Sequence, residues 1–338
     1  MASVRQPVVA GTFYSADAGE LENSVMAHLD SPLAWDIDAK ALVVPHAGHV
    51  YSGAIAGSAY ASVRHLADKI ERIVLLGPAH RVAFKGIAVP SADAHATPLG
   101  DIAVDWQGVA DALSLPQVQL SDAAFEGEHS LEVHLPFLQR ALGDFKLVPL
   151  LVGDAKPEGV EQVLRKLWGG PETLIVISTD LSHFHEYEAA QKLDNSASRA
   201  IETFNVEGLS GDLACGFRPL SGLLRAAQRL DLRPTTLDVR NSGDTAGPKN
   251  RVVGYGSWLF FDETAPSRTA KMVWGKTVHK KTKTARPVPV APALDGETDF
   301  GAATKALLDE HGFTLVLLAA ASIDHGLKHS QPVPVDLN

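Results

Sequence analysis

Four short, continuously apolar runs punctuate the chain between residues 41 and 179: ALVVP (41–45), RIVLLGP (72–78), KLVPLLVG (146–153) and TLIVIST (173–179). Each is too short for a helix, rich in Val, Ile and Leu, and free of polar alternation, which is the pattern of a strand buried on both faces. Helical spacing of apolar residues marks 53–66, 128–142, 157–168, 187–203 and 217–230. Strands separated by stretches long enough for crossover helices predict an α/β fold, with a largely parallel or mixed central sheet covered by helices. Further on, TTLDVRNSG (235–243) and RVVGYGSWLFF (251–261) have strand composition around a turn region, predicting a closing hairpin or edge pair. A first domain, 1–262, is expected to finish near Asp262.

After that point the pattern changes. Residues 263–294 supply Pro, Thr, Lys and Ala without a period and read as an extended basic linker. Residues 295–338 again support helical patterns, around His311-Gly312, but some 40 residues are too few to bury a stable core alone. They read as the start of another domain, cut short.

Composition narrows the function classes. With 338 residues, 45% of them hydrophobic, the chain is globular in character. The formal charge of −10 conceals seven Lys or Arg and no Asp or Glu between 264 and 286, leaving about −17 on the remainder. So acidic a body repels phosphate backbones, and nucleic-acid binding is not expected. The single cysteine, Cys215, excludes an intrachain disulfide and points to a reducing compartment. With no signal-like N-terminus and no apolar run of the ~18 residues a span needs, the expected location is cytoplasmic, without a membrane.

Ligands of open α/β sheets bind outside the carboxyl ends of the strands. Here ALVVP runs into His46-Ala47-Gly48-His49, RIVLLGP into Ala79-His80, and TLIVIST into Asp180-Leu181-Ser182-His183. A lone histidine is usually structural, but imidazole or carboxylate at three of four strand ends predicts one polar pocket. Neutral imidazoles suit Fe, Zn, Cu or Ni, and two of them with a carboxylate or thiolate leave positions open for substrate. Gly48 and Gly53 permit close backbone approach, and Tyr51 can donate a phenolic hydrogen bond. Cys215 precedes a predicted helix, where free N–H groups and the helix dipole favour a thiolate, although a lone cysteine is more often a small buried residue. Glu128, His129, Glu132 and His134 open the 128–142 helix, with Glu128 and Glu132 on one face. They lack the His pair at i, i+4 of a zinc-protease helix and read as support for the pocket or as helix caps.

Taken together, PVVAGTFYSAD (7–17), VPHAGHVYSG (44–53), GPAH (77–80), EHSLEVHLPFL (128–138) and STDLSHF (178–184) resemble the Memo family, called AmmeMemoRadiSam system protein B in bacteria and archaea. The resemblance runs in order over about residues 5–261. It implies a fold similar to class III extradiol dioxygenases, which hold non-haem Fe(II), and a pocket in which His46, His80 and Cys215 are the metal ligands. Asp180 and His183 would then serve as catalytic residues for proton transfer, with His49, Tyr51, Glu128, His129 and His134 supporting them. Fe(II) is the expected cofactor, with Cu the other candidate. Where ring-cleaving relatives use a carboxylate, a thiolate changes the softness of the site, so their activity does not transfer directly.

This chain departs from the family pattern at His49, usually Tyr, and at Ala79, usually Ser. His49 could add a ligand or a proton shuttle, and Ala79 lacks a hydroxyl that would orient His80. The C-terminal segment resembles the opening of an AMMECR-type domain, the system's protein A. That implies partnership with the fused A component and with the system's radical SAM protein. The expected function is redox or dioxygenase-like chemistry at a mononuclear iron or copper site. The competing reading is a non-catalytic cleft that binds a peptide or partner protein.

Overall fold

The computed structural model describes residues 3–262 except Pro32. The expected linker (263–294) and the AMMECR-like segment (295–338) lie outside the described residues. The elements run β1 (Val4–Arg5), α1 (Ala18–Leu29), β2 (Ala39–Val44), α2 (His49–Ser62), β3 (Arg72–Pro78), β4 (Ile87–Val89), β5 (Ala94–Thr97), β6 (Gly100–Ala103), α3 (Trp106–Leu113) and β7 (Val118–Leu120). They continue with α4 (Leu135–Leu142), β8 (Lys146–Val152), α5 (Pro157–Lys166), β9 (Thr173–Ser178), β10 (His183–His185), α6 (Tyr187–Glu202), α7 (Phe217–Arg229), β11 (Leu232–Asn241) and β12 (Val252–Asp262).

The central sheet is mixed, in the order β10-β12-β2-β9-β3-β8-β4-β7, with β11 paired to β12. Its middle is parallel: β2 with β9, β9 with β3, and β3 with β8. These are the four apolar runs. Their residues alternate between two cores, with Leu42, Val44, Ile73, Leu75, Leu174 and Val176 on one face and Ala41, Val43, Val74, Leu76, Ile175 and Ile177 on the other. Burial on both faces accounts for the missing polar alternation. β11 and β12 form the expected antiparallel pair, and β12 runs antiparallel to β2. A small sheet, β1-β5-β6, and helix α1 have no counterpart in the sequence reading. Among the described residues, no helix is long and apolar enough to cross a membrane.

Two helices begin elsewhere than expected. α2 starts at His49, so His49 and Tyr51 lie within its first turn. The expected helix 128–142 becomes a short 3-10 turn, Glu132–His134, leading into α4. Residues 128–131 are not helical because the Glu128 carboxylate takes the N–H groups of His129 and Ser130 itself, at 2.9 and 2.8 Å. Glu128 and Glu132 therefore do not share a helical face.

Candidate metal centre

β2, β9 and β3 are adjacent and parallel, so their carboxyl ends open on one edge. His46, Asp180 and His80 each follow one of these ends by two residues. The turn before α7 brings Cys215 to the same place: its N–H donates to the Asp180 carbonyl at 3.2 Å, while the Asp180 N–H points at Sγ, 3.3 Å away. His46 Nε2 lies 3.4 Å from that sulfur. The donor atoms of His46, His80 and Cys215 all fall within 4.8 Å of one another.

Both imidazoles have Nδ1 engaged, which directs Nε2 into the pocket. Ser178 Oγ donates to the Ser130 carbonyl at 2.6 Å, so it can only accept from His46 Nδ1, also 2.6 Å away. The Nε2 lone pair of His46 is left facing Cys215. At His80, Nδ1 lies 3.0 Å from Glu128 Oε1, and the backbone N–H of His80 donates to Oε2 at 2.5 Å. A carboxylate on Nδ1 fixes the proton there and leaves Nε2, a buried atom with no hydrogen-bond partner, for a ligand. Glu128 thus does the orienting that Ala79 cannot do. Arg5 in turn grips the backbone carbonyls of Phe125 and Glu128.

The fit to a metal rests on this donor set. Two imidazole nitrogens, that of His80 available once its second proton is displaced, and one sulfur suit a borderline or soft transition ion, which includes Fe(II) and Cu. A second group, His80, Glu128 and His129, is also close enough to share an ion, but it overlaps the first at His80, and Glu128 is already committed to three backbone N–H groups and Nδ1.

Charge in the pocket is unevenly distributed. Burial lowers His46 well below the ordinary histidine value, helped by its histidine neighbours. Burial also pushes His183 down to about 4 and His129 to about 4. Burial opposes charge on His80 too, but Glu128 and Cys215 outweigh it and raise His80 to about 10, and the same pairing holds Glu128 far below the usual carboxylate range. Asp180 moves the other way: burial lifts it to about 7, against the N–H groups of His46 and Ala47 that point at it.

The remaining predicted residues separate. His129 lines the pocket, stacked on His80 at 5.1 Å between ring centroids and edge-on to His46 at 5.7 Å. Tyr51 joins an apolar cluster with Ala47, Ile55, Phe184, Val253 and Tyr255 beside it. His49 turns away, with Nε2 3.1 Å from the Val133 carbonyl and its ring against Tyr14 and Phe137. His134 pairs with the buried Tyr60 hydroxyl at 2.8 Å. Glu132 clamps the N-terminal segment, accepting from Val8 N, Val9 N and Tyr14 Oη. Sequence reasoning missed Ser178, Ser130 and Asp194. The two serines stood inside quoted motifs, and Asp194, which takes the Ser182 N–H at 3.0 Å, had no local signal.

A family model described as Memo-like protein matches residues 5–259. A MEMO1 family protein of Aquifex aeolicus is 36% identical over 268 residues, covering 76% of this chain and 99% of the relative. One from Methanosarcina mazei is 33% identical over 265 residues, covering 75% and 97%. Among solved structures, an uncharacterised protein of Escherichia coli K12 aligns with a TM-score of 0.42 at 15% identity, covering 64% of this chain and 98% of that one. With three quarters of its length matched at this identity to nearly whole relatives, the chain belongs to the Memo-like family.

Proposed function

We propose that the protein is a metalloenzyme in which His46, His80 and Cys215 hold one iron or copper ion, and that it carries out redox or dioxygenase-like chemistry on a small substrate. The observation that supports this most is the pair of Nδ1 partners: Ser178 and Glu128 each accept a hydrogen bond from the Nδ1–H of a histidine, so that both Nε2 atoms are directed toward the Cys215 sulfur. Metal-ligating histidines ordinarily have the other ring nitrogen held in this way, and here the two free nitrogens converge with a sulfur.

The bound ion would supply Lewis acidity and a one-electron couple. The protein supplies the rest. His183, neutral at physiological pH because burial holds it near 4, is the proton acceptor in this reading, taking a proton from a substrate hydroxyl. Asp180, lifted by burial to about 7, is close to the pH at which a carboxyl can both hold and release a proton. Its Oδ1 also fixes the His46 backbone at 2.8 Å, so proton handling and ligand geometry share one side chain. The Phe13 ring meets His129 edge-on, with centroids 4.9 Å apart, and supports it beside the two proposed imidazole ligands. Work alongside an A component and a radical SAM protein is part of the same proposal.

The test is metal analysis after anaerobic expression. Wild type is expected to carry close to one equivalent of iron or copper, and His46→Ala, His80→Ala and Cys215→Ala to lose it. Full metal content in His46→Ala or His80→Ala would end this reading.

A further inference from the structure

The rim of the pocket carries a cation that the proposed chemistry does not use. Arg251 immediately precedes β12, and because β12 is antiparallel to β2, its start lies on the edge where β2, β9 and β3 end. The guanidinium sits 4.5 Å over the Phe184 ring, and that ring is 5.6 Å from His183. Phe184 has φ 63°, a left-handed conformation that a bulky residue adopts only at some expense. The pairing of β10 with β12 shifts register at the same place, between His183 and His185. The backbone is thus distorted to put an aromatic platform beneath Arg251 and beside the proposed proton acceptor.

A second arginine stands across the mouth. Arg81 follows His80 at the end of β3, and β3 and β12 flank the β2–β9 pair. Its charge is close enough to His129 to depress it further. Among the described residues, neither Arg251 nor Arg81 has a carboxylate within ion-pair distance, whereas Arg72, Arg218, Arg225 and Arg240 all do. In a chain of net charge −10, two unpaired arginines at one opening create a local positive field on a body that otherwise repels anions. A guanidinium held over an aromatic ring still has N–H groups to donate, and its planar fork matches a carboxylate.

From this we propose that the substrate is a small carboxylate with an apolar body, its carboxylate held by Arg251 and its body against Phe184 and the Ala47, Tyr51 and Val253 cluster. The proposal names the substrate class for the site described above and rests on that reading only for where the chemistry occurs.

Benzoate, its neutral isostere benzamide, and inorganic phosphate are suitable probes, titrated by calorimetry into the full chain, both metal-free and iron-loaded, because a carboxylate can also ligate metal directly. Wild type is expected to bind benzoate about tenfold more tightly than benzamide in both forms. Arg251→Gln should abolish that preference, and Phe184→Leu should weaken it with metal content unchanged. Equal affinity for benzoate and benzamide in wild type, or an intact preference in Arg251→Gln, would overturn the proposal. Phosphate binding as tightly as benzoate would overturn the apolar-body half of it. Discrimination between benzoate and benzamide by a protein that takes up no metal leaves the carboxylate site standing and removes the metalloenzyme reading. Loaded protein blind to the carboxylate does the reverse.

Discussion

His46 Nδ1 and Ser178 Oγ are 2.6 Å apart, and the serine hydroxyl is already spent on the Ser130 carbonyl, so the imidazole is the donor in this pair. The relationship decides which nitrogen faces the pocket. Ser178→Ala removes the acceptor and frees the ring to change tautomer or rotate. Iron affinity is expected to fall about 10–100-fold while far-UV circular dichroism is unchanged. Wild-type affinity in this variant would show that the hydroxyl has no orienting role.

Metal uptake should depend on pH through His80. The free side chain is raised to about 10, so at neutral pH an incoming ion displaces a proton from it. Protons compete more strongly as pH falls, and between pH 9 and 6 apparent affinity should weaken by about tenfold per unit for each proton displaced. Glu128→Gln removes the charge that raises His80 and should flatten this slope. Proton release measured in two buffers of different ionisation enthalpy checks both statements.

Asp194 offers a test of stability rather than binding. Burial lifts its carboxyl to about 6, above the ordinary 3.8, and the small Gly254 leaves the space it occupies. Because the folded value is the higher one, the unfolded chain loses its proton first as pH rises. Ionisation of Asp194 therefore lowers stability from about pH 4 and has its full effect above about pH 6. Asp194→Asn keeps an acceptor for the Ser182 N–H but carries no charge. It should stabilise the protein by about 2–3 kcal/mol at pH 8 and leave it nearly unchanged at pH 4, as read from thermal melts. A melting temperature that does not rise at pH 8 contradicts the assignment.

Gly216 is confined by space alone. A Cβ there would collide with the Ser178 carbonyl and the Thr179 side chain, groups fixed in or just after β9. Gly216→Ala should destabilise the fold by about 1–3 kcal/mol and, by displacing the neighbouring Cys215, reduce metal content. The same substitution at Gly211, where the added carbon meets only the Phe217 ring at an ordinary 3.6 Å, controls for loss of glycine as such.

Much of this arrangement was legible in the chain because burial on both faces leaves a strong mark. The runs before His46, His80 and Asp180 could hardly be anything but central strands, and parallel strands share a carboxyl edge. The helical stretch 128–142 was over-read for the opposite reason. Its spacing is helical, but a carboxylate at 128 competes for the very N–H groups that a helix would leave free, and spacing alone does not register that competition. Cys215 illustrates a third case. Nothing near it in sequence indicates that its sulfur faces His46, 169 positions away, and only the resemblance to the Memo family drew it into the ligand set. Ser178, Ser130 and Asp194 act through contacts between distant segments, which periodicity cannot report.

That separation carries a consequence of its own. His46, His80 and Cys215 follow β2, precede α7 and stand on either side of β9, so the three meet only when the whole parallel core has been laid down in order. No fragment that lacks β2, β9 or the turn before α7 can assemble the trio. An ion gripped by all three would join the early and late portions of the polypeptide and, having no comparable grip on the unfolded chain, would draw the equilibrium toward the folded form. The ion would then act as a clasp as well as a reagent, making resistance to proteolysis a measure of how much metal the cell has provided.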